Sequence, residues 1–62
     1  MGVIIVSGQE LKVDPGYTIQ EAVSAEGLHP DAYLYLIDGR PVPMDTVIGD
    51  STVKAMRVAS GG

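Results

Sequence analysis

The sequence predicts an α+β fold, a mixed sheet of four to five strands with one helix packed across it. Three observations lead there. Two short strand signatures, Val3 to Val6 and Glu10 to Val13, flank a turn near the start. A capped helix start follows at Thr18-Ile19-Gln20-Glu21. Further strand signatures, Tyr33 to Ile37 and Thr52 to Val58, come after it. A hairpin, one helix and more strands in 62 residues leave a single thin core, with the helix covering one sheet face.

Each element has a local reason. Val3-Ile4-Ile5-Val6 is β-branched throughout, which favours extended backbone. Ser7-Gly8-Gln9 is a turn signal. Glu10-Leu11-Lys12-Val13 then alternates, putting Leu11 and Val13 inward and Glu10 and Lys12 in water. Asp14-Pro15-Gly16 breaks the strand. Thr18 with Glu21 three residues on is a capping box, in which each side chain satisfies an orphan N–H of the other residue. Tyr17 stands where a hydrophobic staple would meet Ala22, and Ile19, Ala22 and Val23 share the face that packs on the sheet. Gly27 closes the helix after roughly two and a half turns.

Leu28-His29-Pro30-Asp31 reads as a connector, and Tyr33 to Ile37 is the longest apolar stretch. Asp38-Gly39 after it predicts a type I′ hairpin, whose two central residues need positive φ. Pro41-Val42-Pro43 suits only a short edge segment, because proline donates nothing to a ladder. Residues 44–50 read as a loop with room for one helical turn, ending in Gly49-Asp50 before the last strand. This order is that of a β-grasp sheet: the first and last strands lie side by side and parallel. Residues 1–58 form the domain, and 59–62 leave it as a flexible tail.

Composition narrows the function. A core this thin leaves little room for an enclosed pocket of about 300–1,000 Å³, so an enzyme is disfavoured and a surface read by larger partners is favoured. Cysteine is absent, which removes disulfides, thiolate nucleophiles and cysteine-ligated zinc and favours a cytoplasmic setting. No signal peptide or membrane span is legible. Lys12, Arg40, Lys54 and Arg57 face eight acidic residues for a net charge of −4, against direct nucleic-acid binding. His29 is the only histidine and is read as a loop residue, not a metal ligand or relay. Asp38, Asp45 and Asp50 fall at turns, where aspartate bonds its own backbone, without the spacing of a calcium loop.

The last two residues, Gly61-Gly62, carry the functional signal. At average glycine usage such an ending arises by chance in about 0.5% of chains. Two residues without a Cβ lie flat in a channel too narrow for others, and the free carboxylate then stands at the tip of a thin strand.

Three stretches carry a resemblance to a known family: Thr18 to Val23 at the helix start, Ile37 to Pro43 at the central hairpin, and Gly49-Asp50 ahead of the final strand into Gly61-Gly62. Together they resemble the ubiquitin-like sulfur carriers and modifiers, most closely the small archaeal modifier proteins. The resemblance implies a non-enzymatic protein with no bound cofactor. An adenylating enzyme similar to ubiquitin-activating enzymes uses ATP to activate the Gly62 carboxylate. The acyl group then passes to a lysine of a target protein as an isopeptide, or becomes a thiocarboxylate that sulfur-transfer enzymes use for tRNA thiolation. The alternatives are a dedicated sulfur carrier for thiamine or molybdopterin synthesis, and a β-grasp binding module that is never transferred. Arg57-Val58-Ala59-Ser60 lacks the proline-rich approach of the molybdopterin-synthase subunit, which puts that role lowest.

A docking surface is also expected. Lys54 favours an outward face shared by Met56 and Val58, while Arg57 argues the other way. Alignment to ubiquitin-like proteins turns Leu34 and Leu36 outward beside Met56, with Tyr33, Tyr35 and Ile37 inward. The expected patch is Leu36, Met56 and Val58, rimmed by Arg40, Lys54 and Arg57, and it receives the activating enzyme. Lys54 and Lys12, besides the N-terminal amine, are the candidate isopeptide acceptors in a self-linked chain. A monomer that touches neither nucleic acid nor membrane is expected.

Overall fold

The computed structural model describes residues 1–58. β1 (Gly2–Val6) and β2 (Gln9–Val13) form an antiparallel hairpin around Ser7 and Gly8. Both turn residues have positive φ, 51° and 77°, so the turn is tighter than the three-residue reading and Gln9 already belongs to β2. After α1 (Ile19–Ala25) and a 3₁₀ turn at Pro30–Ala32 come β3 (Tyr33–Ile37), β4 (Arg40–Val42) and β5 (Thr52–Arg57). The sheet order is β2-β1-β5-β3-β4. All neighbours are antiparallel except β1 and β5, which run parallel. This is the α+β, β-grasp architecture that the element order predicts.

The helix start follows the capping-box chemistry. Thr18 Oγ1 accepts from the Glu21 N–H at 3.2 Å, and the Glu21 carboxylate accepts from the Thr18 N–H at 2.9 Å. Ile19 and Gln20 donate to the carbonyls of Thr46 and Met44 at 3.0 and 2.9 Å. The loop before β5 thus satisfies helix donors that have no partner within the helix. At the other end Gly27, φ 80°, turns the chain away and donates to Ser24 O at 3.0 Å. The helix is therefore seven residues, shorter than the two and a half turns expected.

Between sheet and helix lies one apolar core. Ile4, Val6 and Val53 from the sheet meet Ile19 and Val23 from the helix, with Tyr35 and Ile48 closing the layer. No polar or charged side chain is buried among the described residues. The Tyr35 hydroxyl donates to the Pro30 carbonyl at 2.7 Å, tying β3 to a 3₁₀ turn where the sequence predicts a plain connector.

Residues 44–50 contain no helical turn. Instead Val47 bridges Thr18, while Ile48 and Gly49 donate to the carbonyls of Tyr17 and Pro15 at 2.9 and 3.1 Å. These bonds pull the segment onto the helix start and bury Ile48 at 1% exposure. β5 stops at Arg57, one residue short of the expected strand, although the Val58 N–H still donates to Ala32 O at 2.9 Å.

Candidate functional site

The helix covers one face of the sheet and leaves the other open. Cross-strand register builds that open face row by row. Glu10, Ile5, Lys54, Leu36 and Pro41 lie opposite one another in turn across all five strands. One step toward the end of β5, Leu34 is directly opposite Met56. Side chains alternate along a strand, so Leu34, Leu36, Lys54 and Met56 share this face, while Tyr35, Val53 and Ala55 point into the core.

Exposure ranks these residues. Leu34 is 45% exposed, Met56 47% and Val58 49%. Leu36, expected at the centre of the patch, is only half-buried surface, because Lys54 and Pro41 flank it on both sides. The more open partner of Met56 is Leu34, which the expected patch did not include. Its outward side is the one that alignment to ubiquitin-like proteins implies, since β3 is apolar on both faces, and the register sets it directly against Met56.

The expected cationic rim is only partly on this face. Lys54 stands in the central row and is exposed. Arg57 pairs with Tyr33, and Arg40 pairs with Ile37, both partners being packed against the core. Register thus gives both arginines the parity of the helix side, although each is exposed near a strand end. Lys12 is exposed on the open face, on β2 opposite Val3. Gly61 and Gly62 lie outside the described residues, as does the rest of the expected tail.

His29 is exposed at the start of the 3₁₀ turn. Among the described residues no cluster of three His, Cys, Asp or Glu is placed to hold a metal ion. No described helix is long and apolar enough to cross a membrane.

The described residues thus present one open sheet face, with Leu34 and Met56 exposed on it. Comparison with known proteins decides the family. The family model of small archaeal modifier protein 2 matches residues 2–59. The chain belongs to that family. The small archaeal modifier protein 2 of Haloferax volcanii is 40% identical over 53 residues, covering 86% of this chain and 80% of the relative. The chain is accordingly a ubiquitin-like protein modifier and not an enzyme, as the resemblance implied. In this modifier Lys54 and Met56 of β5 stand on the open face, and the glycine pair follows β5 in the sequence.

Proposed function

We propose that the modifier is loaded at the carboxylate of Gly62 by an adenylating enzyme that docks on the open sheet face. The carboxylate attacks the α-phosphate of ATP, pyrophosphate leaves, and the acyl-adenylate forms. A lysine amine of a target protein then attacks the carbonyl, AMP leaves, and the amine gives up a proton as the isopeptide bond forms. The modifier contributes no catalytic group. It contributes an uncrowded acyl carbon, which Gly61 and Gly62 supply by having no side chain. The charge stabilisation belongs to the enzyme.

The observation that supports this reading is the family match over residues 2–59, immediately ahead of Ser60-Gly61-Gly62. Leu34, Leu36, Met56 and Val58 form the apolar centre of the docking surface in this proposal, with Lys54 on the same face. Arg40 and Arg57 contribute from the sheet's margins, where their long stems let the charged heads reach a bound partner. Lys54 and Lys12, both exposed, are the acceptors for a self-linked chain. A chain joined at Lys54 would cover the docking face and so block reloading. A cytoplasmic setting fits a cysteine-free domain of this size.

The same activated acyl group supports sulfur carriage. Hydrosulfide attacks the carbonyl, AMP leaves, and loss of the remaining proton gives a thiocarboxylate on Gly62. With no cysteine in 62 residues, that carbonyl is the one position able to hold transferable sulfur. ATP–pyrophosphate exchange with the activating enzyme tests the reading. Exchange with the full chain and none with the chain lacking Gly62 supports it, and equal exchange with both rejects it.

A further inference from the structure

β2 and β4 are the two edges of the sheet. β4 is three residues long with Pro41 at its centre, which removes a donor and blunts that edge. β2 has five residues, none of them proline, and among the described residues its only backbone partner is β1. The direction of its free groups follows from β1. Val3 donates its N–H to Ser51 O at 3.1 Å, on the β5 side. Val3 and Lys12 are therefore a non-hydrogen-bonded pair, and the N–H and C=O of Lys12 point away from β1. The tight turn gives the same parity. Val6 and Gln9 close it as a hydrogen-bonded pair, so Ile5–Glu10 is another non-bonded one. Glu10 and Lys12 thus offer two N–H and two C=O groups to the free edge.

We propose that this edge pairs with the β2 edge of a second copy of the chain, in an antiparallel two-fold dimer centred on Leu11. In that register Glu10 of each copy lies opposite Lys12 of the other, and the two residues exchange backbone hydrogen bonds through the groups already facing outward. Their side chains share the open face and carry opposite charge, so both symmetry-related pairs attract. Sliding by two residues either way sets Glu10 against Glu10 or Lys12 against Lys12. Charge therefore selects one register. A lysine on an edge strand ordinarily discourages pairing, but a glutamate two residues away makes the edge complementary to itself.

The helix side adds apolar contact. Leu11 faces Leu11 across the axis, beside a shallow groove of about 170 Å³ between β2 and α1. Leu11, Val13, Tyr17, Ala22 and Ala25 give it an apolar floor beside the charged Lys12, Asp14 and Glu26, and the helix-side residues of the added strand would lie along it. The dimer edge is two strands away from β5, so the Leu34–Met56 pair remains open. The expectation of a monomer then holds only at concentrations below the dissociation constant.

Sedimentation velocity of the full chain from about 10 μM to about 1 mM at low salt tests this, together with the amide NMR spectrum over the same range. The proposal expects a monomer–dimer equilibrium with concentration-dependent shifts centred on residues 9–14. Glu10→Lys should raise the dissociation constant about tenfold or more, since it places two like-charge pairs in the interface. Lys12→Glu should do the same. The double swap Glu10→Lys with Lys12→Glu should restore association to within about threefold of the original. A monomer throughout the range overturns the proposal. So does association indifferent to Glu10→Lys, as a contact through the open face would be, and so does a double swap as weak as the single variants. None of these outcomes depends on Gly62 chemistry.

Discussion

Gly2 lies against Ile48: a Cβ built on Gly2 would overlap the Cγ2 of Ile48 and come within 2.9 Å of the Gly49 carbonyl oxygen. The start of β1 is thus fitted to a loop residue 46 positions later, and the loop is part of the core. Gly2→Ala should destabilise by about 1–3 kcal/mol, because the added carbon meets backbone as well as a movable side chain. Gly16→Ala, where nothing stands within 4 Å, should change stability by less than about 0.5 kcal/mol. Ile48→Ala should cost about 2–5 kcal/mol. Urea denaturation of the three variants checks the ranking.

Thr18 and Glu21 fix the helix start, and their contribution depends on pH. Thr18→Ala should cost about 1 kcal/mol at neutral pH. The Glu21 carboxyl is held below the ordinary glutamate range, first by the Thr18 backbone N–H and then by its hydroxyl. A depressed folded-state value means stability that is present above the unfolded value and lost as pH falls through the folded one. The stability difference between the parent chain and Glu21→Gln should therefore hold steady from about pH 7 to 5 and shrink below about pH 4. A difference that grows on acidification contradicts the capping assignment.

Tyr35 gives the opposite sign. Burial is the main reason its hydroxyl stays un-ionised beyond the ordinary tyrosine range, with the charges of Tyr33 and Asp31 adding to it. A raised folded-state value contributes stability below the unfolded value, lost as pH rises through the folded one. In an ultraviolet titration a tyrosine phase should appear above the ordinary range, and Tyr35→Phe should remove it. The same variant leaves the Pro30 carbonyl without its 2.7 Å donor and should cost about 1 kcal/mol.

Leu34 and Met56 test the docking face. Both are exposed and opposite one another, so Leu34→Asp with Met56→Asp should alter folding stability by less than about 1 kcal/mol. The pair should lower kcat/KM for adenylation by about a hundredfold, in line with loss of a central apolar anchor. Arg40→Ala should have a smaller effect, since register sets it off this face. Unchanged activation by the double variant would assign docking elsewhere.

Much of this was legible in the residues. Val3 to Val6, the Thr18–Glu21 box and Asp38-Gly39 each carry their own local instruction, and each element formed where that instruction placed it. Asp38 and Gly39 have φ of 53° and 78°, as a type I′ turn requires. Residues 44–50 carried no such instruction. Their path is set by backbone bonds to Pro15, Tyr17, Ile19 and Gln20, which are distant in sequence and leave no periodicity to read. Arg40 and Arg57 illustrate a second limit. A charge at a strand end is exposed on either face, so hydropathy alone does not say which side it takes, and register decides.

In the proposed function the carbonyl of Gly62 becomes bonded to other proteins. Mass spectrometry of tryptic peptides from native cells reads that bond directly, because cleavage after Arg57 leaves Val58-Ala59-Ser60-Gly61-Gly62 on the acceptor. Lysines of other proteins carrying this five-residue remnant through an isopeptide bond are the predicted result. Abundant free C-terminal peptide with no remnant on any lysine, in aerobic and anaerobic cells alike, would contradict it.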